Sequence, residues 1–451
     1  MMAKLHFLSQ AGRRLSSGSG VETKRSGVET KKEEAPVQIM TPERVVPIFS
    51  LSLIPSKIPS RIYSPGSSSP PPHSLDDLMV GYKPTIDEVK EYARSYLEER
   101  EQEPQFKPIV GEEANIIGQV LCIVAGLHYM IRGKSGSGKT ALVDKVLGLI
   151  PSALVYKVGL VSELALFRDT ENINRAKILY IPEIQKAYQK HNSPTVELLK
   201  DITEGKRSER RRLNTRGKVS LDIVTEGKMA VVTGASENKY MEHEDIELKR
   251  RLLHFYTDES QEQIENINKF YTQLRNPNRS IPRYSTQKYD LLSAHIQQAL
   301  ARQFTFDDPF FTCVEQIIPA VPKSPSYQQY YYALINASAK FHFRDRLIQG
   351  KKLYISLHDH FLAYSLYHSS LLETLRELNP GSGEQELIEK SSSPPDWNSW
   401  WQQGCLTMKE ATAPGQNLYE EWKELHLQGG NSIFLSHPKT GEIKEAHHDQ
   451  N

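Results

Sequence analysis

The stretch Gly133-Lys134-Ser135-Gly136-Ser137-Gly138-Lys139-Thr140 constrains this chain more than any other. It fits the pattern G-x-x-x-x-G-K-[ST] at every fixed position. Leu127 to Ile131 before it reads as a strand, and Ala141 to Leu147 after it as a helix. A strand that feeds a glycine-rich turn opening into a helix is a cradle for phosphate. The glycines let backbone N–H groups point inward, and the helix start adds the positive end of its dipole. In such a cradle Gly133 through Gly138 wrap the phosphates and Lys139 reaches the β- and γ-phosphates. The Thr140 hydroxyl is then placed to ligate Mg²⁺. A glycine-rich surface loop is the bland alternative, and the full match in the right context argues against it.

The chain has 451 residues, enough for two or three domains, and a net charge of +1, so a signal for nucleic acid must be local. Cys122, Cys313 and Cys405 stand far apart, with no CxxC and no Cys/His cluster. That usage fits a reducing compartment and argues against structural zinc or a disulfide framework. The most apolar region, Ile116 to Ile131, is broken by Gln119, Gly126 and His128, and reads as a buried helix plus a strand rather than a membrane span.

Residues 1–78 read as a disordered tail. A seven-residue unit repeats in tandem, Ser19 to Arg25 and Ser26 to Lys32, and Ser67 to Pro72 forms a linker. Met1 to about Gly20 holds Lys4, Arg13, Arg14 and serines without an acid, so it is either a solvated tail or an organelle transit peptide. Val45 to Ile54 is a docking peptide or an incidental apolar run. Thr85 to Glu99 has helical spacing, with Val89, Tyr92, Ala93, Tyr96 and Leu97 on one side.

Beyond the phosphate cradle, Ala153 to Val158 reads as a strand and Ser162 to Phe167 as a short helix. Lys177 to Glu183 is a buried strand ending in a carboxylate. Pro182 precedes that carboxylate; proline cannot ligate metal and gives up a ladder N–H. Glu183 is the candidate for orienting water, with Thr140, the phosphates and water holding the metal; the other readings are a site that binds nucleotide but hydrolyses it poorly, an acidic motif that lies elsewhere, and a carboxylate at a helix start. After the helix Pro194 to Thr203 comes the densest charge run: Lys206, Arg207, Arg210, Arg211, Arg212, Arg216 and Lys218 against Glu209. It leads into the alternating Val219, Leu221 and Ile223, a basic hairpin that contacts a phosphate backbone or is simply a solvated face. Lys228 to Thr233 is a further buried strand, after which Asn238 or Ser236 either positions the attacking water near the γ-phosphate or is ordinary turn chemistry. Ile246 to Tyr256 runs from helix into strand, and Asp258-Glu259-Ser260 opens a helix to Leu274.

This ordered set resembles an AAA+ ATPase module, similar to the minichromosome-maintenance-like helicases and to the ATPase part of helicase–primase proteins of viruses and mobile elements. The resemblance covers roughly residues 108 to 375. It implies an α/β P-loop NTPase fold, a three-layer α/β/α core with a C-terminal helical lid. It further implies ATP and Mg²⁺ as cofactors, Glu183 as the base in a motif where Pro182 replaces the usual Asp, and Asn238 as sensor. Arg251, with Arg250 next, would be an arginine finger for a neighbouring subunit of a homo-oligomeric ring. Arg210, Arg211, Arg212 and Arg216 would contact DNA. Arg344 or Arg346 would sense the γ-phosphate, if they are not simply the charged face of a core helix.

The expected organisation is a tail over 1–78, a helical segment over 79–110, the ATPase core over 111–275, a helical lid over 276–385 and a poorly ordered or small appendage over 386–451. There Trp397, Trp400, Trp401 and Trp422 offer a partner-binding aromatic patch. His342, His358, His360 and His368 read as structural. The expected function is an ATPase coupled to DNA, helicase or loader, in the cytoplasm or, with a transit peptide, an organelle, and without a membrane partner. The other-class readings are an ATP-binding switch or scaffold with weak hydrolysis, and a P-loop signalling or defence ATPase with a protein partner.

Overall fold

The computed structural model describes residues 75–98, 108–158, 169–189, 193–206, 208–213, 219–225, 230–236, 244–276, 282–429, 435–436 and 443–444. In chain order it begins with α1 (Leu75–Met79), α2 (Ile86–Arg94), β1 (Tyr96–Leu97), α3 (Glu113–Ala125), β2 (Tyr129–Gly133) and α4 (Lys139–Leu147). There follow β3 (Val155–Lys157), α5 (Thr170–Arg175), β4 (Ile178–Ile181), α6 (Pro194–Thr203), β5 (Ser208–Leu213), β6 (Val219–Thr225) and β7 (Ala230–Ser236). Next are α7 (Ile246–Arg250), β8 (Leu253–Tyr256), α8 (Gln261–Leu274), β9 (Arg283–Tyr284), α9 (Thr286–Ala301), β10 (Thr305–Asp307) and α10 (Ser324–Phe341). The chain continues through β11 (Ile348–Gln349), β12 (Lys352–Tyr354), α11 (Leu357–Leu378), α12 (Ser382–Lys390), α13 (Trp397–Ala411), α14 (Leu418–Gly429), β13 (Leu435–Ser436) and β14 (Ile443–Lys444).

Five parallel strands form the central sheet in the order β3-β4-β7-β2-β8. Parallel strands covered on both faces read as unbroken apolar runs, as Ile178–Ile181 and the first three residues of β7, Ala230 to Val232, do. Their side chains divide between two clusters. Tyr129, Ile131, Tyr180 and Val232 pack with α3 and α4. Met130, Leu179, Ile181 and Val231 pack with Val196, Leu199 and Ile202 of α6 and Leu248 of α7. This is an α/β P-loop architecture in which β7 separates the strand before the phosphate loop from the strand before Glu183.

α3 is buried along its whole inner length, from Ile116 to Val124, which a surface helix is not. The sheet lies on one side of it and α10 and α11 pack on another. The helices after residue 282 therefore share one apolar core with the sheet. Two expectations need correction. The helix foreseen over 85–99 ends at Arg94, because Ser95 turns extended (φ −115°, ψ 155°) and Tyr96–Leu97 pairs with Arg283–Tyr284. The poorly packed appendage after 385 is instead three helices, with Trp400 and Trp422 almost fully buried in the main core. The tail over 1–74 and the helix expected over 162–167 lie outside the described residues.

Candidate phosphate-binding site

β2 runs straight into the loop, and α4 begins at Lys139. Gly136 (φ 86°) and Gly138 (φ 84°) occupy the left-handed region, which side chains other than glycine's enter only at a cost. Gly133 is required by crowding: a Cβ there would stand 1.9 Å from Thr257 Oγ1. Lys139 is buried, and its ammonium donates to the carbonyl of Gly133 (2.9 Å), the carbonyl of Lys134 and Ser137 Oγ (3.3 Å). Thr140 sits in the first turn of α4, its side chain beside the buried Tyr180 of β4.

A second segment closes on the loop, and the sequence did not single it out. Because the strands are parallel, the end of β8 lies beside the end of β2, with Arg132 opposite Tyr256. Thr257 donates to Ser137 Oγ (2.9 Å), and Glu259 accepts both the backbone N–H and the ammonium of Lys134. This segment is tied to the start of α3. Glu112 accepts the Asp258 N–H (2.8 Å), Asn115 donates to the Tyr256 carbonyl (2.9 Å), and Gln263 to the Val110 carbonyl (2.6 Å). Burial pushes the Glu112 carboxyl up to about 7, against the pull of the Asp258 N–H and Asn115. The signal available in sequence was the polar run directly after a buried parallel strand.

Glu183 follows the end of β4 and is half-exposed, ion-paired with Lys186 one turn on. Register places Ile181 opposite Thr233 on β7, and Gly133 opposite Ser236. Glu183 and the loop thus stand on the same sheet edge, two strand spacings or about 10 Å apart. Ser236 lies between them, its N–H bonded to Gln185 Oε1 (3.3 Å). Pro182 is accommodated by Gly234, where a Cβ would come within 2.5 Å of the Pro182 carbonyl oxygen. Asn238 falls outside the described residues.

Arg251 is not poised to leave its own chain. It is nearly buried, donates to the Lys200 carbonyl (2.7 Å), and pairs with Glu204 (2.5 Å) and Glu247. Arg250 beside it is exposed, with a 3.5 Å contact to Ser326 Oγ. Arg210, Arg211 and Arg212 lie in β5, paired antiparallel with β6 opposite Asp222, Leu221 and Ser220; Arg216 is outside the described residues. Arg344 and Arg346 also serve the fold: Arg344 binds the Met79 carbonyl and Gln298, and Arg346 grips Asp359 at 2.8 and 2.9 Å. His342, His358 and Asp359 bring their ligand atoms within 4.8 Å of one another, but the guanidinium of Arg346 already neutralises that carboxylate. His360 pairs with Asp308 and His368 with the Ser391 carbonyl, as structural histidines do.

Loop N–H groups, a lysine and a threonine hydroxyl form a donor set that fits a nucleotide's phosphates. For Mg²⁺ the set offers the Thr140 hydroxyl, while Pro182 supplies no carboxylate. A family model described as the MTBMA_p00010 P-loop domain matches residues 113–294, a span that holds the whole five-stranded sheet. No curated protein matches the chain. Sheet, loop and match agree on an α/β P-loop NTPase fold, which points to nucleotide binding at this loop. No helix among the described residues is long and apolar enough to cross a membrane.

Proposed function

We propose that this protein is an AAA+-like ATPase that couples ATP hydrolysis to work on DNA, as a helicase or helicase loader, in a homo-oligomeric ring. The observation that supports this reading best is the sheet order. It sets the loop and Glu183 on one edge, with β7 between them, and inserts the basic β5–β6 pair immediately before β7. Helices over 286–378 hold the chain position of the AAA+ lid.

In this reading the loop amides and Lys139 bind the phosphates, and Thr140 orients the metal. Mg²⁺, when bound, offsets charge on the phosphates. Glu183 takes the proton of the attacking water, which requires it to leave Lys186. Ser236, opposite Gly133, or Asn238 positions that water. Arg250 is the better finger for a neighbouring subunit, because Arg251 is held by two carboxylates of its own chain. The deciding experiment is ATP turnover with and without single-stranded DNA. Turnover should rise with DNA and vanish in Lys139→Ala; persistence in that variant sinks the reading. Filter binding of single-stranded DNA should weaken when Arg210, Arg211 and Arg212 become Glu, and unchanged binding makes the hairpin a solvated face.

Pro182 supports a second reading, an ATP-dependent switch with weak hydrolysis acting on a protein partner. Nucleotide binding without turnover selects it, and Pro182→Asp should then create or raise activity.

A further inference from the structure

Glu259 lies outside the loop motif, yet its side chain closes on the loop. One carboxylate oxygen accepts the Lys134 backbone N–H, and the other lies 3.2 Å from the Lys134 ammonium. The same oxygen that takes the N–H would stand 3.0 Å from a Cβ at Gly133. We propose that Glu259 is a built-in competitor of the nucleotide: its carboxylate and the phosphates contend for the same loop, and binding a nucleotide releases α8 from the loop. The inference deepens the nucleotide-binding reading and rests on it.

Like charges at contact distance in a partly desolvated loop repel, and a charge-assisted hydrogen bond must be given up when the phosphates arrive. The Lys134 N–H, then the Lys134 ammonium and the charge of Lys139, hold the Glu259 carboxyl below its usual range, so it is ionised at neutral pH. Both lysines that favour phosphate therefore also favour Glu259.

Release of Glu259 has somewhere to go. Ser260 caps α8, so Glu259 directly precedes the helix. Gln263 is the helix's buried residue, held by the Val110 carbonyl, while Ile264 and Tyr271 are 46% and 54% exposed. The grip on α8 is thus concentrated in its first turn, beside the phosphates, and the three turns beyond move with it. The position of α8, and with it that of its exposed apolar side chains, becomes a readout of nucleotide.

The test uses the full chain with a fluorescent ATP analogue and Mg²⁺, and compares wild type with Glu259→Gln, Glu262→Gln and Lys139→Ala. Gln keeps an acceptor for the Lys134 N–H but removes the charge. Glu259→Gln should bind about tenfold more tightly, Glu262→Gln like wild type, and Lys139→Ala hardly at all. Hydrogen exchange over 259–264 of the wild type should rise on saturation with nucleotide. Equal or weaker binding by Glu259→Gln, or exchange that nucleotide leaves unchanged or slows, overturns the proposal. The exchange arm stands even if Glu259→Gln fails to fold. A wild type that binds no nucleotide overturns the underlying nucleotide reading instead, so the two failures are told apart.

Discussion

Glu112 carries a charge that its surroundings resist. Its carboxyl sits at about 7 in the fold against 4.5 for the free side chain, because burial outweighs two hydrogen bonds. A raised carboxyl takes its proton in the folded state first, so folding is favoured at low pH and stability falls as pH rises from about 4.5 to 7. Glu112→Gln keeps an acceptor for the Asp258 N–H and removes the titration. Urea unfolding should show its stability loss between pH 5 and 8 smaller by about 1–2 kcal/mol than that of the wild type, after allowing for partial solvation. An unchanged pH slope refutes the assignment. Arg251 shows the limit of reading at this scale. The motif Glu247-Leu248-Lys249-Arg250-Arg251 gives the residue type, but Glu204, more than forty positions earlier, decides that the second arginine stays home. Lys139 was legible because all of its neighbours in the loop are neighbours in sequence. Glu259 was not, because it meets Lys134 only through strand register.

Among elements, the buried strands were the most legible, since a short apolar run between turn residues has few other solutions in a parallel sheet. Their ends were less so. β2 extends two residues past the apolar run to Gly133, and β4 stops before Pro182. The contact of Pro182 with Gly234 could not be read from either residue alone. It predicts that Gly234→Ala, small as it is, forces β4 and β7 apart at the edge that carries Glu183. Unfolding should show a loss of about 2–3 kcal/mol, with ATP turnover falling further than nucleotide affinity. A neutral effect on both means that the two strands yield there. The helix expected over 85–99 overran its true end because Tyr96 and Leu97 keep apolar periodicity while their backbone joins β9.

On the scale of the whole molecule, the C-terminal helices changed the picture most. Proline, serine and glycine around the tryptophans hid a helical spacing, Trp400, Gly404 and Met408, whose members are all buried. Trp400 is fully buried and donates to Gln316 Oε1 at 3.0 Å. Trp400→Ala should cost about 3–5 kcal/mol and lower a single cooperative transition of the described chain. An appendage would melt separately and leave the main transition where it was. The segment that recurs in the family match ends at residue 294, inside α9, whereas α3 near its beginning is covered by α10 and α11 from far downstream. The span of the family match and the unit that folds are therefore cut at different places. A fragment trimmed to the matched segment would bare the side of α3 that α10 and α11 cover, and expression of that fragment alone should yield an aggregate rather than a smaller folded domain.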